Sequence, residues 1–372
     1  MVKHARSPRT DSTTPIAVAK PRLPQTDAIV PYLRRIDSAR WYSNFGPLVQ
    51  ELEERLAHRF GAQARAVTCV NATQGLTLTL QALNIAPGTL CAMPSWTFVA
   101  TGHAAVQAGL TPWFLDADRD SWMLTPQIAA EALARAPGTV GALIVVAPFG
   151  RMPDVAAWLD FQDKTGIKVI IDAAAAFDAA CDARLPTVVS LHATKVLGMG
   201  EGGFVATDNH ALAARLRRLT SFGFDGTRLS QHTANNAKIS EYAAAVGLAS
   251  LDAWPGDRLR WFTAAQTLRH FPLPREIGYQ PGWGRDWTTS VCVVTTPEGA
   301  APELIAALKA RDVDTRQWWG EGCHASPAFA AFPREALPNT EILATSTLGL
   351  PFYIDLDRAD AARIAEALGA AL

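Results

Sequence analysis

Between residues 47 and 172, the apolar residues follow two different spacings, which alternate along the chain. Segments with an apolar residue every three or four positions, the spacing of an α-helix, alternate with short apolar runs that are typical of buried strands. The predicted strands are 64–70, 89–93, 112–115, 140–146 and 168–171, and the predicted helices are 48–60, 73–83, 97–108, 126–134 and 155–165. Strands that alternate with helices in this way predict an α/β fold, with a mainly parallel sheet between layers of helices.

The ends of these predicted strands carry the first candidate site residues. Asn71 follows one strand, the loop Pro94–Trp96 follows another, and Asp172 ends a third. Sheets of this kind bind their ligands outside the carboxyl ends of the strands. We therefore expect these residues to converge at one edge of the sheet.

The pattern changes character in the last third of the chain. Predicted helices at 211–219 and 239–251 lead to Trp254-Pro255-Gly256, and the part beyond contains a predicted strand at 290–296 and predicted helices at 302–310 and 358–368. The first residues are polar and basic and contain no apolar segment. We expect a disordered tail at 1–20, a large domain with an N-terminal arm at 21–255, and a smaller α+β domain at 256–372.

Composition and charge exclude several classes of function. The chain has 372 residues and a formal net charge of −1. A nearly neutral chain has no long-range field that favours nucleic acid or an anionic membrane, so we expect neither partner. Its five cysteines are scattered without a C-x-x-C pair, which favours reduced thiols in a cytoplasmic protein and no metal site. No apolar run is long enough to predict a transmembrane helix.

Lys195 and Asp172 form the most informative pair in the sequence. Lys195 lies in a glycine-flanked loop, and Asp172 follows three β-branched residues. Taken separately, such a lysine is normally solvated, and such an aspartate is usually a cap or turn residue. A pyridoxal phosphate enzyme needs both: a lysine amine that forms an imine with the cofactor aldehyde, and a carboxylate that keeps the pyridine nitrogen protonated. The combination predicts a pyridoxal 5'-phosphate site with both residues in catalytic roles.

Other residues could bind the phosphate and the ring of this cofactor. Asn71–Gly75 links a strand to a helix, and the unpaired N–H groups of a helix start favour an anion, although an ordinary capped helix is the plainer interpretation. Ser190 precedes Lys195 and offers a hydroxyl to the same phosphate. A pyridine ring also needs a flat neighbour, and spacing alone cannot choose between Trp96 and Phe98.

At this point the chain resembles a known family, the DegT/StrS-type sugar aminotransferases, from about Pro21 to its C-terminus. The resemblance rests on short segments in the order and spacing of that family: Ser43–Pro47, Pro94–Thr101, Asp172–Ala174, Thr194–Lys195, Gly200–Gly203, Phe222–Gly226, Asn236–Glu241, Arg316, His324 and Leu350–Pro351. It implies the fold-type I architecture of pyridoxal phosphate enzymes and a transaminase activity.

The resemblance also implies roles for individual residues. Lys195 would bind the cofactor and carry the transferred proton, and Asp172 would pair with the pyridine nitrogen. Phe98 matches the stacking aromatic of the family better than Trp96 does. Family members are usually homodimers with two shared active sites, and Asn236 matches a residue that one subunit lends to the phosphate site of the other. The implied cofactor-binding residues are Ala72, Thr73, Phe98, Asp172, Ser190, Lys195 and Asn236.

The chain departs from the family pattern at three places. Ala175 stands where Gln or His is usual, and Ala147–Gly150 stands where a segment with a histidine is usual. Ala237 and Lys238 occupy positions where Tyr and Arg are commoner. The first change removes a polar contact near the ring hydroxyl of the cofactor, and the second is expected to reshape the pocket for the amino acceptor. Neither removes the lysine or the aspartate.

We therefore expect a transaminase that moves an amino group from glutamate or a similar donor to a keto-sugar, most simply a nucleotide-linked one. Two alternatives stay open: a relative that aminates a non-sugar cyclic ketone, which the departures motivate, and a non-catalytic homologue that binds cofactor or sugar without turnover. A dehydrogenase is set aside because no G-x-G-x-x-G follows the first predicted strand. A sugar dehydratase of the same family would carry histidine at the position of Lys195.

Overall fold

The computed structural model describes residues 14–372, and within them the strands form two sheets. The large sheet contains β1 (Arg65–Cys69), β2 (Leu90–Pro94), β3 (Thr111–Leu115), β4 (Val140–Val146), β5 (Lys168–Asp172), β6 (Thr187–Ser190) and β7 (Gly203–Thr207). The small sheet contains β8 (Gly278–Tyr279), β9 (Cys292–Thr295) and β10 (Thr347–Leu350).

Helices cover both sheets. They are α1 (Thr26–Ala39), α2 (Pro47–His58), α3 (Ala72–Ala82), α4 (Val99–Gln107), α5 (Pro126–Leu133), α6 (Val155–Thr165), α7 (His210–Leu219), α8 (Glu241–Arg269), α9 (Ala301–Lys309), α10 (Pro338–Ser346) and α11 (Arg358–Gly369). Each strand and helix predicted between residues 47 and 172 is present, with small shifts at its ends. Across residues 14–372, no helix combines the length and the apolar character that a bilayer span requires.

The large sheet is mainly parallel, as predicted, and the α/β fold class is confirmed. Its strand order is β1-β7-β6-β5-β4-β2-β3, and the five strands from β6 to β3 run parallel to one another. Strand β7 is antiparallel to both β6 and β1. The sequence did not predict β6 and β7, because β6 is only four residues long and β7 begins with Gly203, a residue type that is depleted in strands.

Side chains alternate between the two faces of the large sheet. Ile170 packs into the cluster that contains residues of α3, α4 and α7, and Ile171 packs into the cluster of α2 and α8 on the opposite face. Asp172 comes next and therefore lies on the α3–α4 face. The same alternation applies to β6, where Val188 belongs to the α3–α4 cluster and Ser190 follows two residues later.

The longest helix crosses the predicted domain boundary at residues 255/256. Helix α8 continues through Trp254, Pro255 and Gly256, although a proline inside a helix removes a backbone hydrogen bond and costs about 3 kcal/mol. Trp254 and Trp261 are both buried in the core next to this point, and their burial offsets that cost. The two predicted domains are thus joined by a continuous helix and not by a linker.

The region after α8 combines the small sheet with three helices, as expected for α+β structure. Strand β9 lies between β8 and β10 and is antiparallel to both. The sequence did not predict β10, because Thr347–Leu350 is buried at all four positions and shows no alternation of apolar and polar residues. Its pairing with β9, which places Leu348 opposite Val294, makes it a strand.

The N-terminal arm is ordered from residue 14 onwards. Ile16 is buried, and its N–H donates to the backbone oxygen of Asp312 at 2.8 Å. The predicted disordered tail, 1–20, is therefore wrong for residues 14–20, because an apolar side chain and a backbone hydrogen bond hold them against the C-terminal region. The remaining part of that prediction, 1–13, lies outside the described residues.

Glu241 links two of the segments that resemble the family, Ser43–Pro47 and Asn236–Glu241. Its carboxylate accepts the N–H groups of Leu48, at 2.8 Å, and Val49, at 2.9 Å, at the start of α2. A carboxylate at a helix N-terminus satisfies free donors and complements the helix dipole. Gly46 permits the approach, because a Cβ there would lie 2.7 Å from the Cδ of Glu241. The first turn of α8 is thereby tied to the first turn of α2.

Candidate active site

Asp172 lies at the carboxyl end of β5 and is buried, with 6% of its surface exposed. The hydroxyl of Thr101 donates to its Oδ2 at 2.9 Å, and the N–H of Ala174 donates to its Oδ1 at 3.2 Å. Burial raises the pKa of Asp172, while these two hydrogen bonds and the charge of Lys195 oppose the rise. The carboxylate is thus a buried acceptor that is held at both oxygens.

Lys195 lies in the loop between β6 and β7, and because β5 and β6 are parallel this loop begins at the same end of the sheet as Asp172. Hydrogen bonds within the loop fix its path, among them one from the N–H of Lys195 to the oxygen of His192 at 2.9 Å. Gly200 adopts a φ of +96°, a conformation that favours glycine. Burial lowers the pKa of Lys195, and the nearby charge of Asp172 opposes the change. A desolvated amine of this kind is suited to act as a nucleophile or a base.

The start of α3 offers backbone donors close to Ser190. Asn71 caps the helix by accepting a backbone N–H at 2.9 Å, which leaves the N–H groups of Ala72 and Thr73 available for an anion. Ser190 pairs with Gly203 across β6 and β7, and a Cβ on Gly203 would lie only 2.7 Å from the nitrogen of Ala72. Glycine therefore lets β7 approach the helix start closely, next to the serine hydroxyl.

The structure separates the two candidate aromatic residues. Trp96 is 2% exposed and packs edge-on against Trp319, with ring centroids 5.3 Å apart. Phe98 is 56% exposed and occupies the N-cap position of α4, three residues before Thr101. An exposed ring on the turn that contacts Asp172 is free to stack on a planar ligand, whereas Trp96 is committed to the core.

Asn236 lies on an exposed segment that runs beside the end of β1, close to the start of α3. It is exposed, and its side-chain oxygen accepts a hydrogen bond from the ammonium group of Lys238. Its neighbour Ala237 accepts the N–H of Val70 at 2.9 Å, so the segment runs beside the end of β1. Among the described residues, no hydrogen bond joins Asn236 to Lys195.

The segment Ala147–Gly150, a departure from the family pattern, belongs to an aromatic wall, which we define as Trp96, Trp122, Phe149 and Trp319. Phe149 stacks on Trp319 with centroids 4.0 Å apart and an interplanar angle of 21°. Trp122 meets the ring of Phe149 edge-on at 6.0 Å. Phe149 has a φ of +53°, an unusual conformation for a residue other than glycine, and the surrounding rings hold it there.

A backbone hydrogen bond links the segment that carries Phe149 to Asp172. The N–H of Ala147 donates to the backbone oxygen of Asp172 at 2.9 Å, two residues before Phe149. At Ala175 the hydroxyl of Thr289 donates to the backbone oxygen at 3.3 Å. The segment Ala147–Gly150 is therefore joined to the backbone of Asp172, and Ala175 lies three residues after that aspartate.

Sequence reasoning gave no role to several residues at this site. Thr97 and Thr101 are buried and their hydroxyls are 2.8 Å apart. Ser290 and Arg22 line a small cavity beside Lys195. The spacing of the two threonines, four positions apart at a helix start, was a signal that could have been used, whereas nothing local links Ser290 or Arg22 to the lysine. A larger cavity of about 330 Å³, between β3 and α5, contains none of the candidate residues.

These features together fit a phosphorylated pyridine. Free N–H groups and a hydroxyl can bind the phosphate, and an exposed aromatic ring can cover the pyridine. A buried carboxylate can pair with a protonated ring nitrogen, and an amine with a lowered pKa lies in the loop at the same end of the sheet.

The chain was compared with known proteins. Residues 25–369 match the model of the DegT/DnrJ/EryC1/StrS aminotransferase family. The chain is 30% identical over 380 residues to the dTDP-3-amino-3,4,6-trideoxy-alpha-D-glucose transaminase of Streptomyces venezuelae. The alignment covers 99% of this chain and 97% of the relative. It is also 34% identical over 244 residues to the dTDP-4-amino-4,6-dideoxy-D-glucose transaminase of Shigella dysenteriae. That alignment covers 64% of this chain and 65% of the relative.

A solved structure is similar to this chain over nearly its whole length. The crystal structure of DesI in the presence of its TDP-sugar product superposes with a TM-score of 0.85 at 36% identity and covers 96% of this chain and 92% of that one.

Proposed function

This chain belongs to the DegT/DnrJ/EryC1/StrS aminotransferase family, and on that premise we propose that it moves an amino group from glutamate or a similar donor to a nucleotide-linked keto-sugar. The enzyme is an aminotransferase and its cofactor is pyridoxal 5'-phosphate. The names of two relatives describe transaminases of dTDP-linked sugars, which supports the proposed acceptor class.

The pairing of Lys195 with Asp172 is the observation that carries this proposal. The residues that would hold the cofactor are Ala72, Thr73, Phe98, Asp172, Ser190 and Lys195, with Asn236 from a second subunit. When bound, pyridoxal 5'-phosphate supplies an electron sink for the carbon that gains or loses the amino group. Asp172 would place a negative charge opposite the ring nitrogen, and the hydrogen bonds from Thr101 and Ala174 hold that carboxylate in a fixed direction.

Lys195 would move the proton in both half-reactions. An ordinary lysine has a pKa of about 10.4, so its amine is rarely a free base at neutral pH. Burial lowers the pKa of Lys195 and so makes a neutral Nζ available for proton transfer. Lys195, Ser290 and Arg22 line a small cavity in common, so Ser290 and Arg22 lie near the lysine that would carry the proton.

Reduction with borohydride followed by peptide mapping tests the assignment of Lys195. We expect a single label, on Lys195, and no label on Lys238, whose pKa is also lowered by burial. A label elsewhere, or protein that does not bind the cofactor, would refute the assignment. Conversion of the bound cofactor spectrum by glutamate separates this proposal from a non-catalytic homologue, which would leave the spectrum unchanged.

We propose a homodimer with two shared active sites. Asn236 is exposed in one subunit, and so are Phe222, Tyr42 and Tyr242, apolar groups that a second copy could cover. Mixing Lys195→Ala protein with Asn236→Ala protein tests this proposal. If the sites are shared, hybrid dimers regain one complete site and part of the activity; if they are not shared, the mixture stays as inactive as its components.

The aromatic wall favours a second candidate, in which the acceptor is a free cyclic ketone of low polarity. Phe149 lies in the segment where the family usually has a histidine, and the partly buried Trp319 that stacks on it would offer an apolar surface to such an acceptor. A panel of nucleotide-linked keto-sugars and free cyclic ketones, analysed by mass spectrometry of the aminated products, decides between the two. Products from the free ketones alone would reject the nucleotide-sugar acceptor.

A further inference from the structure

We propose that Thr97 and Thr101 form a hydroxyl relay that positions the Asp172 carboxylate and thereby controls how tightly the enzyme holds its cofactor. The proposal rests on the role given to Asp172 under the proposed function. It assigns a positioning role to two residues that touch neither the cofactor phosphate nor the reacting amine.

The geometry fixes the direction of the relay. The hydroxyl of Thr101 donates to Oδ2 of Asp172 at 2.9 Å, and the hydroxyls of Thr97 and Thr101 lie 2.8 Å apart. A threonine hydroxyl has one proton to donate. Because Thr101 gives its proton to the carboxylate, Thr97 must donate to Thr101. The protons therefore point along one path, from Thr97 to Thr101 to Asp172.

Burial of both threonines strengthens the hydrogen bonds along this path. Thr97 is 1% exposed and Thr101 is 0% exposed, so water does not compete for either hydroxyl. Hydrogen bonds in such surroundings strengthen each other along a chain. The N–H of Ala174 holds the other oxygen of Asp172, and the charged group that acts on the carboxylate is Lys195. The relay thus orients the carboxylate without adding a second charge.

The relay is also tied to the turn that carries Phe98. Thr97 immediately precedes Phe98, and Thr101 lies in the first turn of α4. The same turn therefore sets the position of the exposed ring and the direction of the Asp172 carboxylate. Loss of one hydroxyl should change cofactor binding without changing the packing of the helix.

Thr101→Val tests this relay because valine has nearly the shape of threonine and lacks the donor. We measure the dissociation constant for pyridoxal 5'-phosphate by absorbance across a range of pH, together with the melting temperature of the apoprotein. A hydrogen bond to a charged group is typically worth a factor of about ten to a hundred in affinity, so we expect a loss of that size. The loss should grow as the pH falls, because the pKa of Asp172 rises further without its donor and the protonated form cannot pair with the ring nitrogen.

Three control variants make the result decisive. Thr101→Ser keeps the hydroxyl and should restore wild-type affinity, and Thr97→Val should cause a smaller loss than Thr101→Val. The relay is wrong if Thr101→Val binds the cofactor like the wild type while Asp172→Asn binds it more weakly. If Asp172→Asn also binds like the wild type, the assigned role of Asp172 fails and the relay fails with it. The relay is also rejected if Thr101→Ser loses as much cofactor affinity as Thr101→Val does.

Discussion

Asp172 on the cofactor side and Phe149 of the aromatic wall follow neighbouring strands of the large sheet, β5 and β4, yet the two regions are built by different means. On the cofactor side, strand ends and helix starts place Asp172, Ser190 and the start of α3 on one face, and directional hydrogen bonds fix them. The aromatic wall joins rings from four separate segments by packing alone. The cofactor side thus depends on regular backbone geometry, while the aromatic wall depends on loops whose sequence can change without altering the sheet.

The largest effect is expected from Lys195→Ala on the cofactor side. General acid–base transfer typically contributes about 10²–10⁴-fold, and the variant also loses its covalent link to the cofactor. We therefore expect turnover to fall by at least about 10⁴-fold, as measured by mass spectrometry of the aminated product. The matched control, Lys164→Ala, changes a lysine whose side chain is 72% exposed and should keep full activity. Substantial activity in Lys195→Ala would remove the chemical basis of the comparison.

Asp172→Asn is expected to have the next largest effect. The amide cannot supply the charge opposite the ring nitrogen, and the loss of one preorganised group of this kind costs about 10²–10³-fold in turnover. Asp116 is a suitable control, because its buried carboxylate follows β3 and accepts the N–H of Thr340 at 2.8 Å. Asp116→Asn should lower the melting temperature and leave cofactor affinity unchanged. Equal losses of affinity in both variants would mean that Asp172 acts only through stability.

Trp319→Ala tests the other side of the comparison. The stacked pair with Phe149 contributes about 1 kcal/mol to stability beyond its buried area, and we expect the loss of this partly buried ring to lower the acceptor kcat/KM. The half-reaction with the amino donor, followed by the spectrum of the cofactor, should be unchanged. Trp319→Phe should retain most of the acceptor activity. Equal losses in both half-reactions would show that the wall supports the cofactor side and is not separate from it.

The smallest effect concerns the pH at which Lys195 becomes reactive. Burial lowers the pKa of Lys195, so its amine loses its proton at a lower pH than the amine of the exposed Lys164. We expect reductive methylation of the apoprotein, mapped by peptide mass, to reach half-labelling at a lower pH for Lys195. In Asp172→Asn the midpoint should fall further, because the charge that opposes the shift is gone. A higher midpoint in that variant would contradict the proximity of the two side chains.

Much of the fold could be predicted from the sequence, because each strand of the parallel region is a continuous apolar run between helices of regular period. The elements that could not be predicted, such as β7 and β10, have weak local patterns and depend on pairing with a strand far away in the chain. At residues 255/256 the local signal of Pro255 predicted a break, and the burial of two tryptophans overrode it. Local periodicity is therefore reliable only where it agrees with long-range packing.

By itself, the sequence determined the α/β alternation and the pairing of an aspartate at a strand end with a lysine in a glycine-flanked loop. Each strand, each helix and each of the two site segments is encoded by neighbouring residues, and the alternation of side chains along a strand then fixes the face on which Asp172 lies. Only the tertiary structure decided that Phe98 is exposed while Trp96 is buried, that Thr101 reaches Asp172, and that Phe149 meets Trp319. These outcomes depend on which distant segments pack together, and no local period records that information.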